Sequence, residues 1–513
     1  SPAGYFQHIV KKTSDESAEQ FAKAYDKVIS STDAGVNESQ SAEFSVEIGK
    51  SVRNLLEDAT YQDFDWLEKV SFRVDADSTK EAAQTNMGLA LNDKQLISLI
   101  ILANLKEEKG YLQIPELNKS YLGMEFEELF SMLDIDMDDF NEVNESTEKV
   151  LKALPDKSKV EKIIKKYFDL AISCIDDVKQ EKEKVTLEEV TNTYTVLEAT
   201  IDEETLQSML ETIVKELKED EDIKKIIMDV SATIEDADAD DVYDEFLDAL
   251  DDMEDEIDDL GDEKIEIVLK LYVDNKGEVY GTVVEIEEAD LEVSNLMVRK
   301  GSKFAYEFEV KVNGVKGSLE GTGKMSGSKM SGDFLLKAAG MKLAELKAED
   351  VQLKDLEDGY FNGTITVSLA SSAAKLIENE VDDDFPFDIK KLNLKITSAS
   401  SKADADCRIS LNEGEKMLGA VSVTYKTGKA DKIKFPADSE VVMIENESDL
   451  MDWAEDIDFD EFLESLEDKL DAGLMDLIED AILDGFSGGF GKKSADDAYP
   501  VDDWDDDWGD YWE

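Results

Sequence analysis

Apolar and polar residues alternate along much of this chain, and the alternation marks strands interrupted by stretches of helical period. Phe21, Ala22, Tyr25, Val28 and Ile29 recur at helical spacing from about 15 to 30, after which Phe44, Val46 and Ile48 alternate as in a strand. Val70, Phe72 and Val74, then Met87, Leu89 and Leu91, then Ile97, Leu99 and Ile101 repeat that alternation, and Tyr111 to Ile114 closes at Pro115. This spacing predicts an antiparallel meander. Helical period returns from about 126 to 178, a β-branched run lies at Val190–Val196, and helices resume near 203. Between 234 and 260 Val242, Phe246, Leu250, Met253, Ile257 and Leu260 recur at near-helical spacing inside an acidic run, with Gly261 as a stop. An amphipathic helix with a solvated acidic face follows from that spacing.

A second sheet region is predicted beyond it. Ile265 to Val273 alternates, Asp274-Asn275-Lys276-Gly277 supplies a turn, and the chain returns through Val279 to Ile286. Phe304 to Val312 alternates up to Asn313-Gly314, a strong hairpin signal. Further strands are expected near 330–356, 360–369, 390–398, 403–411 and 417–426, then helices near 447–484. The Gly-rich stretch from Gly485 to Gly491 suits a linker, and an acidic, aromatic tail carries Trp504, Trp508 and Trp512. The tail suits either a solubilising terminus or docking to a cationic or carbohydrate partner. The expected division is 1–200, 201–484 and 485–513.

Composition narrows the chemistry. The chain has 513 residues, 124 Asp and Glu against 55 Lys and Arg, and a formal charge of −69. A surface that negative repels phosphate backbones and anionic lipid, so nucleic acid is not expected as a partner. One histidine, His8, and two cysteines, Cys174 and Cys407, leave little machinery for nucleophilic or proton-transfer catalysis. Two lone cysteines give no disulfide framework, and both read as small core residues. No catalytic, cofactor-binding or metal-ligating residue is assigned, no cofactor is expected, and the chain is read as a non-enzyme.

Two phrases invite calcium. Asp134, Asp136, Asp138 and Glu145, and again Asp456, Asp458, Asp460 and Glu467, stand at loop positions 1, 3, 5 and 12. The sixth position is Asp139 or Glu461, where the calcium loop needs glycine, and helix capping explains both phrases without metal. The repeated phrase hints at internal duplication. The small, polar stretch Gly321–Gly332 lacks a phosphate loop feeding a helix and reads as a hairpin turn or strand edge.

Gly110-Tyr111-Leu112-Gln113-Ile114-Pro115-Glu116-Leu117-Asn118-Lys119-Ser120-Tyr121-Leu122, preceded by two alternating strands, resembles lipoprotein-carrier-like extracytoplasmic bacterial proteins. Leu271 to Val279 is similar to a second strand-turn-strand phrase of such sheets. With Ser1-Pro2-Ala3-Gly4-Tyr5-Phe6, the pattern resembles uncharacterised membrane-anchored proteins of gut Gram-positive bacteria, whose N-terminal membrane segment would precede Ser1. The resemblance implies an α+β fold with two curved, half-barrel-like antiparallel β-sheets, each covered by helices. It implies an extracytoplasmic, cell-surface location and a binding function for a lipid or other apolar or amphiphilic ligand. The alternative is a structural or protein-interaction module of the envelope, its partner another envelope protein. Cavity volume separates the two.

Overall fold

A computed structural model describes residues 1–444 except 34–36, 62, 129–148, 235–236, 260–263, 382–384, 402 and 431, together with scattered residues of 449–475. The chain begins in the middle of its sheet. After helix α1 (Pro2–Asp33), strand β1 (Glu38–Ile48) takes an interior place and helix α2 (Lys50–Thr60) follows. Strands β2 (Lys69–Ser78), β3 (Ala82–Leu91), β4 (Lys94–Asn104), β5 (Lys109–Gln113) and β6 (Tyr121–Glu125) then meander to one side. Helix α3 (Lys157–Ser173) leads to the far edge, where β7 (Val178–Leu187) and β8 (Val190–Asp202) form a hairpin.

Helices α4 (Glu203–Glu219), α5 (Glu221–Ser231) and α6 (Ala239–Asp259) precede β9 (Glu266–Val273). The sheet then runs back through β10 (Val279–Ile286), β11 (Leu291–Lys300), β12 (Lys303–Val312), β13 (Val315–Ser326), β14 (Lys329–Ala338) and β15 (Met341–Gln352). After the single-turn helix α7 (Leu353–Glu357) come β16 (Gly363–Leu369), helix α8 (Ser371–Glu380), β17 (Leu392–Ser400), β18 (Asp404–Glu413) and β19 (Lys416–Lys429). Strand β20 (Val441–Met443) adds to β6 as the parallel pair of an otherwise antiparallel sheet. Residues from Ile457 form a separate unit, whose described helix is α9 (Phe459–Glu467).

The expectation of two curved sheets, each covered by helices, is corrected. Strand β1 pairs with β2 on one side and with β19 on the other, from Glu38↔Lys429 to Ile48↔Gly419, so the early and late strands merge into one open 20-stranded sheet. A duplicated pair of sheets is therefore absent among the described residues. Alternation reveals which face a side chain takes but not which distant strand lies alongside, and β19 lies far from β1 in the chain. Turn chemistry was legible: Asn313 and Gly314 both adopt positive φ (49° and 75°), as a two-residue hairpin of that type requires.

Helices pack chiefly at the β7–β9 end. Phe6 and Ile9 of α1 join Ile175, Leu197, Ala199, Leu271 and Val273 in one core. Lys12 pairs with Glu278 at 2.8 Å, and the Tyr25 hydroxyl donates to the Pro155 carbonyl at 2.6 Å. On the opposite face of the hairpin, Val185, Val190 and Tyr194 fold against Val298 and Ala305, curling this end of the sheet. The buried Tyr194 hydroxyl donates to the Met297 carbonyl (3.2 Å) and accepts from the Arg299 amide (3.3 Å). Tyr194→Phe is expected to cost about 1 kcal/mol, because it leaves those backbone groups unpaired. Faster hydrogen exchange of the Arg299 amide would register the loss, and unchanged protection would refute it.

Val214, Leu250 and Ile257 form a third core among α4 and α6. The acidic segment is thus helical from Ala239 to Asp259, with its apolar stripe buried and its carboxylates along the remaining surface. Among the described residues no helix is long and apolar enough to cross a membrane.

Candidate functional site

Strands with period-two alternation put all their apolar side chains on one face, and registered pairing extends that face across the sheet. One row runs Leu89–Phe72–Phe44–Val423–Cys407 across five strands. The next runs Val70–Val46–Val421–Ile409–Ile396–Ile365 across six. Nine large apolar side chains on β17, β18, β19, β1, β2 and β3 are 37–47% exposed, with Phe44 the most open. Between the strand ends, from Gln40 to Ile48, Val70 to Ser78, Ala83 to Leu91, Leu394 to Ser398, Ala405 to Leu411 and Gly419 to Thr427, this face carries no charged residue. In a chain of charge −69 that exclusion is a strong pattern.

The charges stand on the other face. Arg408 on β18 forms a two-pronged ion pair with Glu47 of β1 across β19, its second prong at 2.9 Å. The Arg408 guanidinium, through that hydrogen bond, holds the Glu47 carboxyl below the ordinary range against the effect of burial. Arg73 grips Asp75 at 2.8 and 3.0 Å, and Lys69 meets Asp93 at 2.7 Å. Small residues crowd this side: Ser45, Ser71, Ser410 and Ala420 are buried while their larger apolar neighbours on the opposite face are open. Three pockets of about 420, 430 and 570 Å³ lie on this polar side, lined by groups such as Arg73, Gln84 and Asn86 in the first, and Lys395, Asp406 and Arg408 in the second. These are open clefts with charged side chains in their lining, whereas the charge-free rows of apolar side chains lie on the other face.

One carboxylate on the polar face departs upward. Burial, and then the charge of Glu309, raise Glu307, which also stands directly opposite Glu320 in the β12–β13 register. Lys316 and Lys337 pair with Glu309 and Glu320 respectively, so the group is an ion-paired surface patch.

The residues singled out in the sequence scatter. His8 sits within α1, Cys174 follows the end of α3, and Cys407 lies on the apolar sheet face, both cysteines free. Asp134, Asp136, Asp138 and Glu145 lie outside the described residues, as do Asp456, Asp458, the linker and the aromatic tail. Asp460 and Glu467 fall within α9, so residues 459–467 are helix where a twelve-residue calcium loop would need a turn. A different acidic group, Glu57, Asp63 and Asp65, comes together beside α2. The buried Arg53 reaches the Asp65 carbonyl at 2.6 Å and Glu68 at 3.3 Å, and Glu57 accepts from the Phe64 amide at 3.2 Å. A cation and a backbone donor thus already answer this cluster.

Gly321–Gly332 forms the β13–β14 hairpin, turning at Gly327. Its glycines let aromatic rings lie on the sheet, since a Cβ on Gly323 would meet the Phe304 ring at 2.5 Å and the Ser331 carbonyl at 2.3 Å. Sequence reading identified the individual alternations and missed the shared face. The signal was there: in strand after strand, the Asp, Glu, Lys and Arg residues keep to the same half of the alternation.

No family model matches the chain, and no curated protein matches it. Among solved structures a weak likeness exists to "The Structure of Intact Ap-TbpB (N and C lobes)", at 8% identity over 77% of this chain and 79% of that one. Its TM-score of 0.12 carries no argument about fold or function.

Proposed function

We propose that this chain is a non-enzymatic interaction module of the cell envelope that docks a protein surface on its open apolar sheet face. The observation that supports this most is the charge-free face of β17–β3 with its nine open apolar side chains. Exposed apolar patches of this extent mark interaction sites. A small ligand favours a concave pocket that buries most of its surface. The open layer suits a partner that brings a flat apolar surface of its own. Carriage of an enclosed lipid is the weaker reading, because the pockets on the sheet are open and carry charged side chains in their lining.

Binding of the neutral dye Nile red to the chain at nanomolar concentration and low salt tests the reading. Wild-type protein is expected to bind the dye and Phe72→Lys to lose at least about half of the signal, because a charge then stands in the apolar row. Native mass spectrometry should show no lipid-like mass released on unfolding. Dye binding that ignores Phe72→Lys, or a released lipid, would overturn the proposal.

A further inference from the structure

We propose that the partner of this face is a second copy of the same chain, the two sheets packing face to face as a symmetric sandwich centred on β1. This inference rests on the reading of the apolar face as a protein-docking surface. Four observations carry it.

The first is area. Six strands about 4.8 Å apart and about 30 Å long present on the order of 800 Å², which is the share each partner of a standard-size interface contributes. The second is charge. Two chains of −69 repel each other over most of their surfaces, including the polar face that carries Glu43, Glu47, Asp75 and Asp406. The apolar face is where they can meet without opposing carboxylates. The third is relief. In the register Met87–Val74–Ala42–Tyr425–Ala405, small Ala42 lies between two larger side chains, and Phe44 projects two residues further along the same strand. A twofold axis near β1 would set the projections of one copy into the hollows of the other, as aligned sheets pack. The fourth is the guarding of the edges. Edge strand β7 alternates Lys179, Glu181, Lys182, Glu183 and Lys184, and edge strand β20 has 3 residues. Charged or very short edges block strand addition, so self-association is closed at the edges and open at the face.

Salt distinguishes this interface from an ion-paired one. Screening weakens repulsion between the two acidic bodies and leaves apolar contact intact, so the dimer should tighten as salt rises. Sedimentation equilibrium of the full chain at 50 and 500 mM NaCl is the test. A monomer–dimer equilibrium is expected that strengthens at the higher salt. Phe44→Lys should weaken it about thirtyfold or more, as loss of a central anchor does. Thr424→Lys, on the polar face, should leave it unchanged, and Val423→Thr gives a milder face variant should Phe44→Lys misfold. A dimer indifferent to both face variants, or one that weakens with salt, overturns the proposal. A strict monomer whose Nile red binding is lost in Phe44→Lys overturns the second copy and leaves the docking face standing. A strict monomer that binds no dye removes both.

Discussion

Asp220→Ala is expected to cost about 2–4 kcal/mol in the helical part of this protein, because it removes a helix cap together with hydrogen bonds to a charged group. Asp220 is 5% exposed and joins three helices. One carboxylate oxygen accepts from the Lys166 ammonium and the Tyr167 hydroxyl of α3, both at 2.8 Å. The other accepts from the amides of Asp222 and Ile223 at 2.8 and 3.2 Å, capping α5 just beyond the end of α4. Truncation leaves a hydroxyl and two amides without their acceptor and the Lys166 ammonium with Glu216 alone, at 2.6 Å, and the cap by itself accounts for about 1 kcal/mol. Asp220→Asn keeps the shape and loses the charge, and should fall between alanine and wild type. Hydrogen exchange of the amides of α3, α4 and α5 measures the effect where it arises, since so long a chain need not unfold in one step. A loss under about 1 kcal/mol for the alanine variant would contradict the structure.

The same carboxylate gives a pH dependence of definite sign. Burial by itself would raise Asp220. The Lys166 and Tyr167 hydrogen bonds and the two amides outweigh it and hold the group at about 2. A folded-state value below the unfolded one of about 3.9 means that the stabilisation is fully present above pH 4 and is lost as pH falls from there toward 2. The amount is about 2–3 kcal/mol, from somewhat under two units at 1.36 kcal/mol each. Wild-type protection of α5 should therefore fall over this window more steeply than that of Asp220→Asn. Parallel profiles would count against the assigned role.

Phe304→Ala is expected to cost about 3–5 kcal/mol, the ordinary consequence of emptying a fully buried aromatic site. Phe304 is 0% exposed, and its ring lies over Gly323 with Phe334 at 6.3 Å between centroids. The glycines of β13 and β14 expose backbone that these rings cover, a pairing by which aromatics stabilise glycine in sheets. Gly323→Ala should also destabilise the hairpin, and Phe304→Ala should not rescue it. The ring would be gone, but the Ser331 carbonyl would still stand 2.3 Å from the new Cβ. Chemical denaturation of the single and double variants reads this directly. A rescued double variant would show that the ring alone requires glycine there.

Sequence legibility followed the range of the forces involved. Strands β1 to β5, β9, β10 and β12, the Asn313-Gly314 turn and the helix from Ala239 were readable because pleat, turn conformation and helical period are properties of neighbouring residues. Alternation even fixed which residues of each strand would be apolar together, and composition fixed the acidic character of everything else. Other features depended on partners far away in the chain. That Phe44 stands beside Val423, that β1 is an interior strand and that one sheet replaces two were decided by the β1–β19 pairing. So was the candidate site, since a row from Leu89 to Cys407 is assembled from residues more than three hundred positions apart. By itself the sequence determined the local elements and the two chemically opposite halves of each strand. Only the tertiary structure decided that those halves align into one continuous apolar face and leave it open, because strand order and register are set by long-range pairing, of which local periodicity carries no record.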